Sequence, residues 1–409
     1  MNITGLLAWR NLWRHSRRTW LTVGAMVFCN TLLVFLIAIQ LGSYRMMIDN
    51  TLSAFTGHLQ VQHLGYLEEQ KMRQTVPEAA ALASRLAEEP HVEATAARAV
   101  TFALASSEQR SFGIQLTGVQ PALETQVSSY PGLVSRGRYL QQGDDAAIVL
   151  GSILARNLKV APGDEVTLLG SGYDGSVAAG VATVVGIIDS GLAEVDRGVA
   201  QAPLAWFQQV FALGDRAHSV VLRLDDVNRA PMLVPQIQAS LPVGESLVAL
   251  DWDQLQPGLR EAIRSDMVSA WFMYGVLIVL VALSVLNTQL MSVLERTREF
   301  GVMLALGLRP QRLGRLVLLE TIFLGLIGLL LGVALGALVV LYFDAYGFSY
   351  PGMAEAAARF NLPPRIYPQV SLLSLFLGPL TVFLGALLAA VYPALRLLRL
   401  QPVAAMRAV

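Results

Sequence analysis

Four stretches of this chain are each long and apolar enough to cross a membrane, and no other feature limits the fold so strongly: Trp20–Leu41, Met267–Leu294, Leu316–Phe343 and Ser371–Leu395. Crossing about 30 Å of hydrocarbon takes about 20 helical residues, because the bilayer core offers no water to satisfy a backbone left outside a helix. The spacing is uneven: the last three stretches follow one another closely, whereas Gly42–Asp266, a segment of ordinary mixed composition, separates the first from the second. The pattern predicts a membrane α-helical bundle of four transmembrane helices with a large extracytoplasmic α+β domain between the first and second. Whole-chain composition agrees, at 54% hydrophobic and 15% charged over 409 residues, against about a quarter charged in an ordinary soluble protein.

Orientation is read from the arginines. Four precede the first stretch (10, 14, 17, 18), five lie between the second and third (296, 298, 309, 312, 315), and Arg396, Arg399 and Arg407 follow the fourth. The positive-inside rule makes these three segments, and both termini, cytoplasmic. The segment 42–266 carries 16 basic and 25 acidic residues, a net −9, which suits the outer side. The first stretch is too long for a cleaved signal peptide and lacks a small-residue cleavage site, so it reads as an uncleaved anchor. The loop Asp344–Val370 reads as a short outer connection with a small helix through Met353–Phe360. Divided accordingly, residues 1–19 are an amphipathic cytoplasmic lead-in helix, 20–41 the first transmembrane helix, 42–266 the outer domain and 267–409 the remaining membrane domain, with its spans at 267–294, 316–343 and 371–395 and a cytoplasmic segment at 295–315.

Within the outer domain, alternation and β-branched content predict strands at Gly57–His63, Ala99–Ala105, Phe112–Val119, Glu165–Leu169, Val177–Ile188 and Ser219–Leu224. Helical patterns cover Pro77–Glu89, Ser152–Leu158, Pro203–Phe211 and Arg229–Leu241, with proline near several starts.

Catalytic motifs are sparse. Of the two lysines, Lys71 follows Gln70 and Lys159 follows Leu158, so neither ends a phosphate-cradling glycine loop and the chain is not expected to hydrolyse ATP itself. The five histidines (15, 58, 63, 91, 218) form no metal-protease pair, and the single Cys29 excludes an internal disulfide or a multi-cysteine metal site. The run Gly170–Gly175 has the spacing of a dinucleotide fingerprint, but a Val/Ala strand pattern follows it, which reads as a hairpin loop. With 30 basic and 30 acidic residues there is no basic excess for a nucleic-acid backbone.

The distinctive segment lies between the second and third stretches: Glu295-Arg296-Thr297-Arg298-Glu299-Phe300-Gly301-Val302-Met303-Leu304-Ala305-Leu306-Gly307-Leu308-Arg309-Pro310. Wound as a helix, it puts Phe300, Met303, Leu304 and Gly307 on one face, Gly301 and Ala305 in a small-residue notch, and the charges at its start. Gly307 and Pro310 end it. A plain solvated loop needs no apolar face, so this pattern favours a helix that docks on a cytoplasmic partner.

These residues resemble the Arg-Glu-x-Gly-x-x-x-Ala-x-Gly signature of the FtsX/MacB/LolE-like permeases of ABC transporters, with Arg298, Glu299, Gly301, Ala305 and Gly307 at the matching places. Further similarities run along the chain. Ala8-Trp9-Arg10-Asn11-Leu12 with Arg17-Arg18-Thr19 resembles the family's approach to its first span; Gly137-Arg138-Tyr139-Leu140, Ile148–Ala155 and Val160–Leu168 its outer domain; and Pro402–Arg407 its C-terminal ending. The resemblance implies a non-catalytic subunit of a bacterial inner-membrane complex, acting as a homodimer or as a heterodimer with a homologous permease. A separate cytoplasmic ABC ATPase would bind ATP and Mg, and this chain would bind no cofactor. It further implies that Glu295, Arg296, Arg298, Glu299, Phe300, Gly301, Met303, Leu304, Ala305 and Gly307 couple ATP hydrolysis to outer-side movement, by mechanical transmission.

Likeness of Gly57–Gln62 and Gly65–Glu69 to the LolE type puts release of a lipid-anchored substrate or lipoprotein first, with a periplasmic lipoprotein carrier as a further partner. MacB-type efflux of peptides or small molecules, and FtsX-type regulation of a cell-wall hydrolase, are the alternatives. Polar residues in membrane helices tend to face a bundle interior or a cavity. Asn30, Asn287 and Gln289 therefore read in two ways: as amides that simply hydrogen-bond between helices, or, with Val34, Ile37, Met273 and Leu277 on the outer half, as a path for acyl chains between the first and second spans.

Overall fold

Long apolar runs with no strong internal breaker wind into single helices, and the polar residues that flank them continue the same winding. In the computed structural model, which describes residues 3–242, 244–353 and 365–399, the helices of membrane-crossing length are Ser16–Thr51, Pro257–Glu295, Pro310–Tyr346 and Leu372–Leu398, here the first to fourth spans. The first three hold 36, 39 and 37 residues, or roughly 55 Å each at about 1.5 Å per residue. Hydropathy marks only the middle of each. The described residues divide into a helical unit (3–45, 263–349 and 365–399) and a sheet-rich unit (46–262 and 350–353). Of the small helix expected through Met353–Phe360, only buried Met353 is described; the rest, like Arg407 and the Pro402–Arg407 ending, lies outside the described residues.

Glycine spacing decides how the helical unit is packed. Gly325, Gly328, Gly332 and Gly336 line one face of the third span. A Cβ on Gly328 would stand 2.9 Å from that of Met26, one on Gly336 2.9 Å from that of Val34, and one on Gly332 would collide with Asn30. The fourth span meets the first in the same way, with a Cβ on Gly378 only 2.8 Å from that of Leu33. Lipid tails are as apolar as leucine, so dense contact and hydrogen bonds, rather than escape from water, hold such helices together. Asn30 Nδ2 donates to Gly328 O at 3.1 Å across this contact.

The second span is attached more lightly. It buries the stripe Tyr274, Val281, Val285, Gln289 and Val293, shares a hydroxyl hydrogen bond between Thr288 and Thr22 at 3.2 Å, and is tied near one end by Tyr274 OH donating to Gln40 Oε1 and Tyr44 OH donating to Asp266 Oδ2, both at 2.6 Å. Val268, Phe272, Val279, Leu283 and Met291 leave the rest of its surface bare.

The sheet-rich unit is built on ten strands: β1 Leu59–His63, β2 Val92–Ser106, β3 Ser111–Val119, β4 Val134–Gly137, β5 Ala147–Gly151, β6 Glu165–Ser171, β7 Val177–Ile188, β8 Val199–Pro203, β9 Ser219–Leu224 and β10 Leu247–Asp251. Their order is β10-β1-β9-β2-β3-β8-β5-β7-β4, with β6 bridging β2 and β7. The pairs β3–β8 and β5–β7 are parallel and the others antiparallel. The glycine run 170–175 falls at the β6–β7 hairpin, where Gly175 takes a φ of +88° that a side chain would resist.

Sequence patterning missed four strands, and the reasons are physical. β5 and β8 are buried along their whole length, so they show no alternation, while β4 and β10 are short and lie at the sheet edges. β2 extends beyond the expected Ala99–Ala105 because its first half is rich in alanine, a poor strand former. The small side chains are what the place requires: Ala97 and Ala99 meet the cluster containing Leu82 and Leu86, while Ala94 and Ala96 pack with Val127 and Leu123. Helices Ala79–Leu86 and Pro121–Val127 thus cover opposite faces of one strand. On the second of these faces Arg98 and Glu124 form a buried ion pair at 2.6 Å.

His218 has no exposed surface. Its Nδ1 accepts from Val100 N at 2.9 Å, its Nε2 donates to Met72 O at 3.3 Å, and its ring stacks on Tyr66. Both nitrogens are satisfied in the neutral form, and desolvation pushes the pKa down to about 4. Folding therefore favours neutral His218, and this contribution is complete above the ordinary histidine value of about 6.5. It is lost as the pH falls from there toward 4, because the unfolded chain takes up the proton first. The domain is expected to lose up to roughly 3 kcal/mol across that window, and His218→Gln should flatten the slope. A wild-type thermal midpoint that does not fall between pH 6.5 and 4.5 would contradict this.

Candidate functional site

The second span stops at Glu295, Arg296 turns out of helical geometry (φ −100°, ψ 12°), and a short helix, Thr297–Ala305, begins. This elbow helix closes in a Schellman arrangement: Gly307 N donates to Leu304 O at 3.0 Å and Leu308 N to Met303 O at 3.1 Å, with Gly307 at a φ of +88°. Arg309 is extended, as a residue before proline should be, and Pro310 starts the third span.

The inner side of the elbow is fixed by charge. Arg296 is buried, and its Nη1 donates to Glu320 Oε1 at 3.0 Å and Oε2 at 3.3 Å. Its guanidinium lies 4.9 Å from the Phe300 ring centre, and its Nε is 3.6 Å from Glu299 Oε2. Glu320 also accepts from Asn11 Nδ2 at 2.9 Å. Two ion pairs extend the network to the amino-terminal residues, Arg14–Glu299 at 2.9 Å and Arg18–Glu295 at 2.8 Å. The lead-in helix Ile3–Arg14, the end of the second span, the elbow and the third span are thereby joined at one point. Glu320 was legible only as a lone carboxylate inside an apolar stretch, the kind of residue that marks a special site in a membrane helix. Arg14 and Arg18 were legible as cytoplasmic charges and Asn11 as part of the approach to the first span, but nothing local to them named Glu320, Glu299 or Glu295 as their partners.

Burial sorts the ten residues expected to couple to a partner. Phe300 and Leu304 join a cluster with Ala8, Leu313, Val317 and Leu397, Met303 packs against it, and Gly301 is buried. The apolar face thus serves the chain's own bundle, which corrects the expectation that this face itself meets a partner: an amphipathic pattern reports burial without saying against what. Arg296 likewise faces inward. Glu295, Arg298, Glu299, Ala305 and Gly307 are exposed, and so are Val302 and Leu306, the latter at 79%.

The expected acyl path divides too. Asn30, Val34 and Ile37 are buried, Asn30 and Val34 against the third-span glycines, with Ile37 Cδ1 3.4 Å from where a Cβ on Gly378 would stand. That face of the first span is closed among the described residues, which favours the first of the two readings for Asn30, a hydrogen bond between helices, over the acyl path: its amide answers the backbone carbonyl of Gly328. Leu277 packs part-buried beside Tyr274 and Gln289 is buried, whereas Met273 and Asn287 are exposed on the second span. The only partner of Thr22 described across the helices is Thr288.

Removing one member of the central pair leaves the other charge buried and unpaired, at a cost of about 3–5 kcal/mol. Glu320→Ala is therefore expected to lower the thermal midpoint of the solubilised protein strongly and Glu320→Gln less, while Arg296→Met combined with Glu320→Leu recovers most of the loss. An unchanged midpoint for Glu320→Ala would show that the pair does not hold the elbow.

Comparison with known proteins agrees with this architecture. Residues 271–402 match the FtsX-like permease C-terminal domain, and residues 19–240, more than half of the chain, match the MacB-like periplasmic core domain. The lipoprotein-releasing system transmembrane protein LolC of Neisseria meningitidis is 26% identical over 240 residues, 56% of this chain and 56% of that protein. LolE of Haemophilus influenzae is 23% identical over 332 residues, 78% of this chain and 79% of that one. The macrolide export ATP-binding/permease protein MacB of Bordetella avium is 23% identical over 348 residues, 80% of this chain and 50% of that one. The match to the Neisseria LolC thus spans little more than half of that protein's length. By its two domain matches, the chain belongs to the FtsX/MacB-like family of membrane permeases, with a MacB-like periplasmic core domain joined to an FtsX-like permease domain.

Proposed function

We propose that the chain is the permease subunit of an inner-membrane ABC transporter that releases lipoproteins, driven by a separate cytoplasmic ATPase that binds ATP and Mg. The observation that carries this reading is the two-sided elbow helix: its inner side is fixed to the bundle by Arg296, Glu320 and Phe300, while on its outer side Val302, Ala305 and Leu306 are exposed among the described residues. A helix held in this way moves with the spans when a partner pushes it. The residues Glu295, Arg298, Glu299 and Gly307 border that surface, and the buried ones set its angle.

Lipoprotein release is favoured because the LolC and LolE relatives carry that activity in their names. Export of a small molecule or peptide is the second reading, supported by the long MacB match. Regulation of a cell-wall hydrolase remains the third. The bare face of the second span, with Met273 and Asn287 on it, offers room for a second copy or a homologous permease within lipid, and for a substrate's acyl chains beside it. A carrier protein in the periplasm would receive the released product.

The proposed orientation puts both termini in the cytoplasm. Lys71 and Lys159 are the chain's two lysines and both are exposed, so an impermeant amine reagent applied to intact spheroplasts should label them; labelling only after lysis would reverse the topology. For the docking surface, Leu306→Glu and Val302→Glu should reduce permease-stimulated ATP hydrolysis at least tenfold, a loss of about 1.4 kcal/mol or more, with an unchanged thermal midpoint. Full stimulation in both variants would refute docking at the elbow.

A further inference from the structure

The sheet-rich domain has an apolar face that its own core does not use. In β2, Phe102 and Leu104 point away from the cluster that holds Ala103 and Ala105. Leu104 stands opposite Gly113 of β3 and Leu169 of β6, so all three side-chain positions share the bare face. A cleft of about 1080 Å³ opens over them, walled by the segment around Leu192 and Val195 and by Tyr130 and Leu133. That volume is at the upper end of ordinary ligand clefts.

Three features of the cleft select a ligand. There is free space over the floor at Gly113 and beside the wall at Gly198, where a Cβ would meet nothing within 4 Å. At the rim formed by Asn50, Thr51, Ser53 and Gln256, the Asn50 Nδ2 is buried and donates to nothing among the described residues, and such an amide gains most from a carbonyl acceptor. Among the described lining residues the one carboxylate is Glu194 and there is no lysine, arginine or histidine, while burial pushes the Tyr130 hydroxyl up to about 12 and keeps it neutral. Nothing here pairs with a phosphate or a free carboxylate, and the segment's net −9 charge opposes both.

We propose that this cleft binds an acyl chain attached through an ester or amide carbonyl to an uncharged head, with the chain over Phe102, Leu104 and Leu169 and the carbonyl at Asn50. Resting on the lipoprotein-release reading, the source is the lipid-modified end of the substrate; a membrane phospholipid shares the acyl ester but carries a charged phosphate head, for which the described lining offers no cation.

The test uses the full-length permease with its ATPase in nanodiscs and two diazirine-labelled probes, an acylated lipopeptide and a phosphatidylethanolamine, with labelled residues located by mass spectrometry. Capture of the lipopeptide at Phe102 or Leu192, reduced at least tenfold by Gly113→Trp and by Gly198→Leu with ATP hydrolysis unchanged within twofold, supports the site. Equal capture of both probes overturns the selection of an uncharged head and assigns the cleft to bulk lipid. No capture in the cleft, capture untouched by either filling variant, or capture of a second permease copy in place of lipid overturns it. The two readings fail separately: release by a complex whose cleft captures nothing leaves the release reading and removes the site, whereas capture without release does the opposite.

Discussion

Gly328, Gly332 and Gly336 bring the third span against the first at a separation that no larger residue permits, and much of the helical unit is a consequence. That contact buries Met26, Asn30 and Val34, which removes them from any passage. With the fourth span seated on Leu33, it leaves the second span joined by a narrower stripe, with the rest of its circumference bare. In lipid, where side-chain hydrophobicity gives helices no reason to associate, this difference in contact density separates a fixed group of helices from one free to take another partner.

At one end of that group, the contact between spans gives way to a charge network. Glu320 sits one helical turn and more below the glycines, and around it gather Asn11 and Arg296, with Arg14 and Arg18 on neighbouring acids. A buried ion pair adds little net stability compared with a well-packed apolar pair, but it specifies geometry sharply because each charge is costly without the other. Here it fixes the angle at which the elbow helix leaves the second span. The exposed Val302 and Leu306 are thereby presented at a set position.

The sheet-rich domain solves a different problem. A strand covered by helices on both faces must be thin, and the alanines of β2 supply that thinness where Ala79–Leu86 and Pro121–Val127 lie on either side. Farther along, the same strand loses one cover, its outward residues become Phe102 and Leu104, and an open apolar floor replaces a second core. The change from alanine to large apolar residues along β2 marks the change from structure to available surface.

The four spans, the inserted domain and the elbow helix with its glycine stop were legible from the sequence, because hydrocarbon thickness, helical periodicity and backbone stereochemistry act over neighbouring residues. Alternating strands such as β6 and β7 were legible for the same reason, while β5 and β8, buried along their whole length, gave no period to read. What an apolar face meets is not a local property. Phe300 and Leu304 had the pattern of a docking surface and proved to be held by Ala8, Leu313 and Leu397, residues distant along the chain. Asn30 suited a cavity residue and a hydrogen bond between helices alike, and the contact with the third span decided for the carbonyl of Gly328. The sequence by itself determined which residues must leave water and how the backbone is wound to let them. Only the tertiary structure decided against which partners, because burial is a property of the residue whereas contact is a property of the pair.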